Sequence, residues 1–282
     1  MQRRTFLQGA LLGPAMLRAT SRSRRGPKIG VTDWNLRKTG QVEAVALARR
    51  LGFEGVEVSL GRRPVDGRLP LDHSAIQQQY LEAARAQHIA LAGTCLDILH
   101  VNSLKNDPLG QKWVAQGIPI TGKLAARVML LPFFGKSALS SRGEMDYVAD
   151  LLKDLGPQAE KAGVLLGLEN TISAEDNVRI MERAASPAVK VYYDVGNSTL
   201  AGFDVVREIR WLGAARICQM HLKDNPHYLG EGKIDFPGVV AAIQEIGFTD
   251  FANLETDCPS GSVDADMARN LAYVRGLLTP NA

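Results

Sequence analysis

From Lys28 onward the chain alternates short apolar or β-branched runs with longer amphipathic stretches, eight times over. The runs are residues 28–34, 55–60, 89–97, 127–134, 164–170, 189–197, 217–224 and 251–257. Between them lie helix-patterned segments such as 42–52, 147–163, 203–213 and 236–247, several ending in Gly, a common helix C-terminal residue. Strands that are apolar almost throughout, each followed by an amphipathic helix, indicate parallel strands covered by helices. Eight such units predict a closed (β/α)8 TIM barrel in the α/β class rather than an open sheet. Barrels of about 250 residues are ordinary single domains. No Gly-rich dinucleotide fingerprint follows the first run, where Trp34-Asn35-Leu36 stands instead. Composition does not shift after the leader, so residues 28–282 are expected to form one domain.

Residues 1–27 read differently. Arg3-Arg4-Thr5-Phe6-Leu7-Gln8, followed by a short, weakly apolar stretch, resembles a twin-arginine export signal and implies a periplasmic or secreted protein. The stretch is shorter than the roughly 20 apolar residues a membrane span needs, and no later stretch is long and apolar enough. No stable transmembrane segment is therefore expected in the mature chain. The net charge of +3 includes six arginines and no acid within this leader, which leaves −3 on the body. A mildly acidic body gives no electrostatic reason to expect a nucleic-acid partner. The three cysteines, Cys95, Cys218 and Cys258, have no ligand-like spacing and supply no disulfide framework.

In such barrels the functional site lies at the C-terminal ends of the strands. Four successive expected strands end in Glu169, Asp194, His221 and Glu255, spaced by 25, 27 and 34 residues. Taken singly, a strand-end carboxylate is better read as a helix N-cap or a surface charge, and His221 as a core histidine. Taken together they follow runs too apolar to leave a charge uncompensated, and three converging carboxylates repel unless a cation neutralises them. Two glutamates, an aspartate and a histidine form a hard ligand set for one divalent ion such as Mn, Mg, Co or Zn. The other polar strand-end candidates are Trp34, Glu57, Asp97, His100, Asn170, Asn197, Lys223, Asp224 and Asp257.

Six segments also carry a resemblance: Gly-Phe-Glu-Gly-Val-Glu-Val through Val58, Leu-Gly-Leu-Glu-Asn through Asn170, Tyr-Tyr-Asp-Val-Gly-Asn through Asn197, Gln-Met-His-Leu-Lys-Asp through Asp224, Leu-Gly-Glu-Gly-Lys-Ile-Asp-Phe through Phe236, and Leu-Glu-Thr-Asp through Asp257. In this order they are similar to the sugar phosphate isomerase/epimerase family of xylose isomerase-like barrels, over most of residues 28–278. The resemblance implies metal ligation by Glu169, Asp194, His221 and Glu255, with the two glutamates as the acid/base pair. The implied reaction on a sugar or keto-sugar is proton transfer beside a carbonyl, through a metal-stabilised enediolate. Returning the proton to the same carbon epimerises; returning it to the neighbouring carbon isomerises. A leaving group β to the carbanion would instead make the chain a keto-glycoside lyase.

The same resemblance places Lys223 and His227 where related epimerases hold a substrate oxygen, and Glu231 on a flexible Gly-rich loop over the site. Glu57 is expected to hydrogen-bond the sugar and Trp34 to stack on it, with core packing an equal reading for Trp34. Many relatives carry a histidine where this chain has Asn197, which can hydrogen-bond but cannot exchange protons. That departure, five histidines in all and the acidic body speak against a multi-metal apurinic endonuclease. Export and the lack of an evident Arg-rich or Gly-rich phosphate cradle favour an unphosphorylated or oxidised sugar. The non-enzymatic alternative is an exported sugar-binding barrel. Phe133, Phe134, Leu139 and Tyr228 are left open between pocket lining and a contact in a homo-oligomer.

Overall fold

The computed structural model describes residues 26–279, so all but the last two residues of the leader expected as an export signal lie outside the described residues. The eight apolar runs form strands β1 (Lys28–Thr32), β2 (Gly55–Ser59), β3 (Ala90–Cys95), β4 (Val128–Pro132), β5 (Leu165–Glu169), β6 (Val189–Asp194), β7 (Ile217–Leu222) and β8 (Phe251–Leu254). They pair in parallel in sequence order, and β8 returns to β1 with Gly30 opposite Asn253, closing the barrel. The fold is the expected single (β/α)8 TIM barrel.

Nine α-helices are described: α1 (Glu43–Leu51), α2 (Ser74–Gln87), α3 (Pro108–Lys123), α4 (Arg142–Ala162), α5 (Ala174–Ala184), α6 (Val195–Leu200), α7 (Val205–Arg216), α8 (Phe236–Glu245) and α9 (Val263–Leu278). Their starts follow the local chemistry. Ser141 accepts from the Glu144 amide while Glu144 reaches back to the Ser141 amide, a capping box that opens α4. Gly52 and Gly163 take the left-handed conformation that ends α1 and α4, as their positions in the pattern predict. Among the described residues, no helix is long and apolar enough to cross a membrane.

Alternation along each strand divides the buried residues into two sets. Met129, Leu131, Val191 and Tyr193 belong to the main core, with residues of the surrounding helices, whereas Val128, Leu130 and Tyr192 join Cys95 and Cys218 in a smaller cluster. Cys95 and Cys218 are thus buried core residues, as their apolar settings suggest. Polar side chains share the barrel interior because glycines on neighbouring strands make room. A Cβ at Gly30 would lie 2.0 Å from Asn253 Oδ1, and one at Gly167 would lie 3.1 Å from Tyr192 Cβ. Asn253 donates to Tyr192 Oη (2.8 Å) and to Gln219 Oε1 (3.1 Å), and Gln219 donates to the Ala92 carbonyl (2.6 Å). These bonds give Tyr192 Oη, Gln219 and the Asn253 amide nitrogen partners beneath the strand ends, while Asn253 Oδ1 and Glu57 Oε1 are buried without one.

Candidate metal centre

Glu169 and Asp194 are the last residues of β5 and β6, His221 is next to last in β7, and Glu255 follows β8 directly. The barrel turns this sequence spacing into proximity: one donor atom from each lies within 4.8 Å of all the others. Glu169, Asp194 and His221 are buried and Glu255 is partly exposed. His221 Nδ1 faces the carboxylates, at 2.9 Å from Glu169 Oε1, 3.4 Å from Glu255 Oε2 and 3.6 Å from Asp194 Oδ2. Its other nitrogen, Nε2, donates to Glu57 Oε2 at 2.9 Å. This arrangement holds the ring with Nδ1 turned to the cluster, as a carboxylate behind a ligating imidazole does.

Asp194 reconciles two readings that the sequence set against each other. Its Oδ1 accepts from the Asn197 amide (2.8 Å) and caps α6, so the helix-cap role is real. Its Oδ2 remains directed at the cluster, buried and without a hydrogen bond of good geometry. Lys223 Nζ lies 2.7 Å from that oxygen and 2.6 Å from Glu255 Oε2, neutralising part of the cluster's charge. A hard N,O donor set that includes a buried carboxylate oxygen held only by the mobile-headed Lys223 ion pair fits a divalent cation.

The site's electrostatics follow from burial opposed by these contacts. Burial pushes the Glu169 carboxyl up to about 8, against the pull of His221. Burial acts the same way on Asp194, but Lys223 and His221 outweigh it and hold that carboxyl below its usual range. Burial also opposes the imidazolium of His221, yet Glu255, Glu169 and Glu57 raise it well above its ordinary value.

Above the cluster opens a cavity of about 810 Å³. Glu169, Glu255, Trp34, Asn197 and Lys223 line it, as the sequence led us to expect. Trp34 Nε1 donates to Glu255 Oε1 at 3.0 Å, and Asn197 Nδ2 donates to Glu169 Oε1 at 3.4 Å. Three expected sugar contacts lie elsewhere. Glu57 is fully buried beneath His221, where Tyr192 also donates to it at 2.7 Å, so it supports that imidazole and does not reach the cavity. His227 is exposed and lines a separate cavity of about 200 Å³ on the far side of Lys223. Glu231 is exposed and ion-paired with Arg269, while Asp224 accepts from the Gly230 and Gly232 amides and ties their loop down beside β7.

The sequence matches the profile described as a xylose isomerase-like TIM barrel over residues 45–277. The chain belongs to that family. It is 27% identical over 206 residues to 2-epi-5-epi-valiolone 7-phosphate 2-epimerase of Actinoplanes sp., covering 71% of this chain and 73% of that one. The structure of an L-ribulose 3-epimerase superposes with a TM-score of 0.75 at 18% identity, covering 89% of this chain and 94% of that one. A D-psicose 3-epimerase crystallised in the presence of D-fructose gives 0.76 at 16% identity, covering 89% and 99%. At these identities the two structures speak to the barrel fold.

Several residues that shape this family member's cavity gave weaker signals in the sequence. Asp97 and His100, already among the strand-end candidates, line the cavity beside Ser59, Phe134, Arg62 and Arg63. Asp33 is fully buried behind the wall: its Oδ2 accepts from the Gly40 amide (2.8 Å) and the Ser59 amide (3.1 Å), joining the exits of β1 and β2. An acid between the end of an apolar strand and a tryptophan was the available signal. Burial, opposed by those two amides, pushes Asp33 from its ordinary 3.8 up to about 8. Between those values the native protein keeps a proton that the unfolded chain releases, so stability falls as pH rises, by at most about 1.4 kcal/mol per pH unit. Asp33→Asn should remove this slope. Melting curves from about pH 5 to 8 should show the variant gaining on the wild type by up to roughly 2–4 °C per pH unit. A constant difference across that range would refute the buried-proton assignment.

Proposed function

We propose that the chain is a divalent-metal-dependent sugar epimerase or isomerase that moves a proton on the carbon beside a carbonyl. The observation that carries this reading is a division within the ligand cluster. Of its four residues, only Glu169 and Glu255 line the open cavity, while Asp194 and His221 are buried behind them. Two carboxylates that reach both the ion position and the substrate space can do more than ligate. They originate on opposite sides of the β6–β7 pair, so a sugar between them would meet one acid/base group from each side. A divalent ion bound there would polarise the carbonyl as a Lewis acid and offset the negative charge that develops on its oxygen.

The remaining residues have matching roles. Trp34 holds Glu255 through its indole N–H, and Asn197 holds Glu169, which fixes both carboxylates against the cavity. Lys223 offers an ammonium at the same wall, where it can bind a substrate oxygen when a metal takes over Asp194 and Glu255. The epimerase names of the relatives in this family agree with the chemistry that these residues support. The leader read as an export signal would put the reaction outside the cytoplasm.

The test is product analysis on free ketoses, aldoses and keto-sugars. With added Mn, NMR of the mixtures should show an epimer or an aldose–ketose isomer, and chelator should abolish its formation. Metal-bound protein that converts no sugar of the panel would count against the proposal.

A further inference from the structure

We propose that Lys223 is a displaceable counter-ion of the metal centre: its ammonium and the divalent ion compete for Asp194 Oδ2 and Glu255 Oε2, and metal binding releases the ammonium into the sugar cavity. This inference rests on reading Glu169, Asp194, His221 and Glu255 as a metal centre.

Two of the ligand carboxylates have one oxygen already engaged. Asp194 Oδ1 accepts from the Asn197 amide at 2.8 Å, and Glu255 Oε1 accepts from the Trp34 indole at 3.0 Å. Each keeps one oxygen for a cation, and Lys223 Nζ sits on both of these, at 2.7 Å and 2.6 Å. The same two oxygens lie 3.6 Å and 3.4 Å from His221 Nδ1. A divalent ion ligated by His221, Asp194 and Glu255 therefore needs the oxygens that the ammonium holds. Two cations crowded on one buried oxygen repel with little screening from water, so one of them has to give way.

Lys223 is built to be the one that moves. It follows β7 directly, and its stem lies across the first turn of α6, the helix that Asp194 caps. A Cβ at Gly196 would come within 2.5 Å of Lys223 Cγ and 3.0 Å of its Cε, so glycine there leaves the path along which the chain reaches Asp194. The head has space on both sides, because Lys223 lines the main cavity and also the cavity of about 200 Å³ beside His227. An ammonium on a flexible four-carbon stem can swing without any change in the backbone. His221, by contrast, is fully buried and held from behind by Glu57. The side cavity carries a like charge in Lys233, whereas Asp97 and Glu255 line the main cavity, which directs the released head towards the sugar.

The exchange has two consequences. Metal binding must break two short ion pairs, so the centre holds its ion less tightly than the same four ligands would without the lysine. Metal and sugar also become coupled: the ion frees an N–H donor for a substrate oxygen, and a sugar that engages this donor in turn favours the metal-bound arrangement. The metal is then the first ligand to enter and the sugar the second.

The experiment titrates Mn by calorimetry into the full-length wild type and Lys223→Met, each first stripped with chelator. Methionine keeps an unbranched stem against Gly196 and removes the charge, so the variant should bind Mn about tenfold or more tightly than the wild type. Stripped Lys223→Met should melt below the stripped wild type, because its carboxylates have lost a cation, and saturating Mn should remove that deficit. The lysine head is followed directly in the wild type by acylating its amines and reading each site by peptide mass spectrometry. Labelling of Lys223 should rise several-fold when Mn is added. Equal or weaker Mn binding by Lys223→Met overturns the competition, and so does Lys223 labelling that Mn leaves unchanged. Tighter binding together with Mn-dependent labelling supports it even if no sugar is converted, in which case the epimerase reading fails alone. No Mn binding by either protein overturns the metal centre and the proposal with it.

Discussion

Glu169→Gln and Glu255→Gln are each expected to lower turnover by about 10²–10⁴-fold, the range associated with one positioned acid or base. Glutamine keeps the length and one carbonyl oxygen, so the Trp34 and Asn197 hydrogen bonds can persist and the barrel should fold normally. What is lost is the ability to take and return a proton. Because the two carboxylates stand on strands separated by β6 and β7, the account makes a finer prediction. In D2O each variant should fail to remove the proton from a different epimer of the same sugar. One variant failing on both epimers while the other acts on both would assign both steps to one residue. Full activity in either variant would contradict its assignment.

Glu57→Gln should weaken metal binding by about 10–100-fold, the usual cost of losing the carboxylate behind a ligating histidine. Glu57 Oε2 receives both the Tyr192 hydroxyl and His221 Nε2, and its Oε1 is buried without a partner. An amide can accept at one oxygen but cannot supply the negative charge that makes the imidazole a better donor. Its NH2 group would occupy the position where no acceptor waits. Tyr192→Phe is the graded control, because it removes one donor to Glu57 and leaves the charge in place. Calorimetric titration with Mn should rank the proteins as wild type, Tyr192→Phe, then Glu57→Gln, from tightest to weakest. Unchanged affinity in Glu57→Gln would mean that the buried acid only packs the barrel.

The barrel and the ligand cluster were legible in the sequence for the same reason. Near-continuous apolar runs, each followed by an amphipathic helix, indicate parallel strands buried on both faces, and a charge at the end of such a run requires compensation. Glu169, Asp194, His221 and Glu255 carry that signal strongly. Glu57 carried a different one that was misread. It sits in the middle of Gly55–Ser59, one inward-facing position before the strand's end, so its side chain falls a layer beneath the site. The position of a residue along its strand thus separates a ligand's support from a substrate contact.

Loop residues were harder to place, since their direction is set by contacts that no periodicity reveals. Asp224 gathers the Gly230 and Gly232 amides, and Arg269 pairs with Glu231, which together carry that loop away from the main cavity. Arg62 and Arg63 reach the cavity for the opposite reason, because Gly61 turns against Pro70 and the β2 exit is fixed by Ser59. Neither outcome follows from residue type.

The most direct test of the central claim is solvent deuterium incorporation by NMR, with Mn or with chelator, in the wild type and Glu169→Gln, across free and anionic ketoses. The account predicts deuterium at one carbon adjacent to the carbonyl, requiring both the metal and Glu169. Incorporation that persists with chelator or in Glu169→Gln would contradict it, as would metal-bound wild type that labels no sugar.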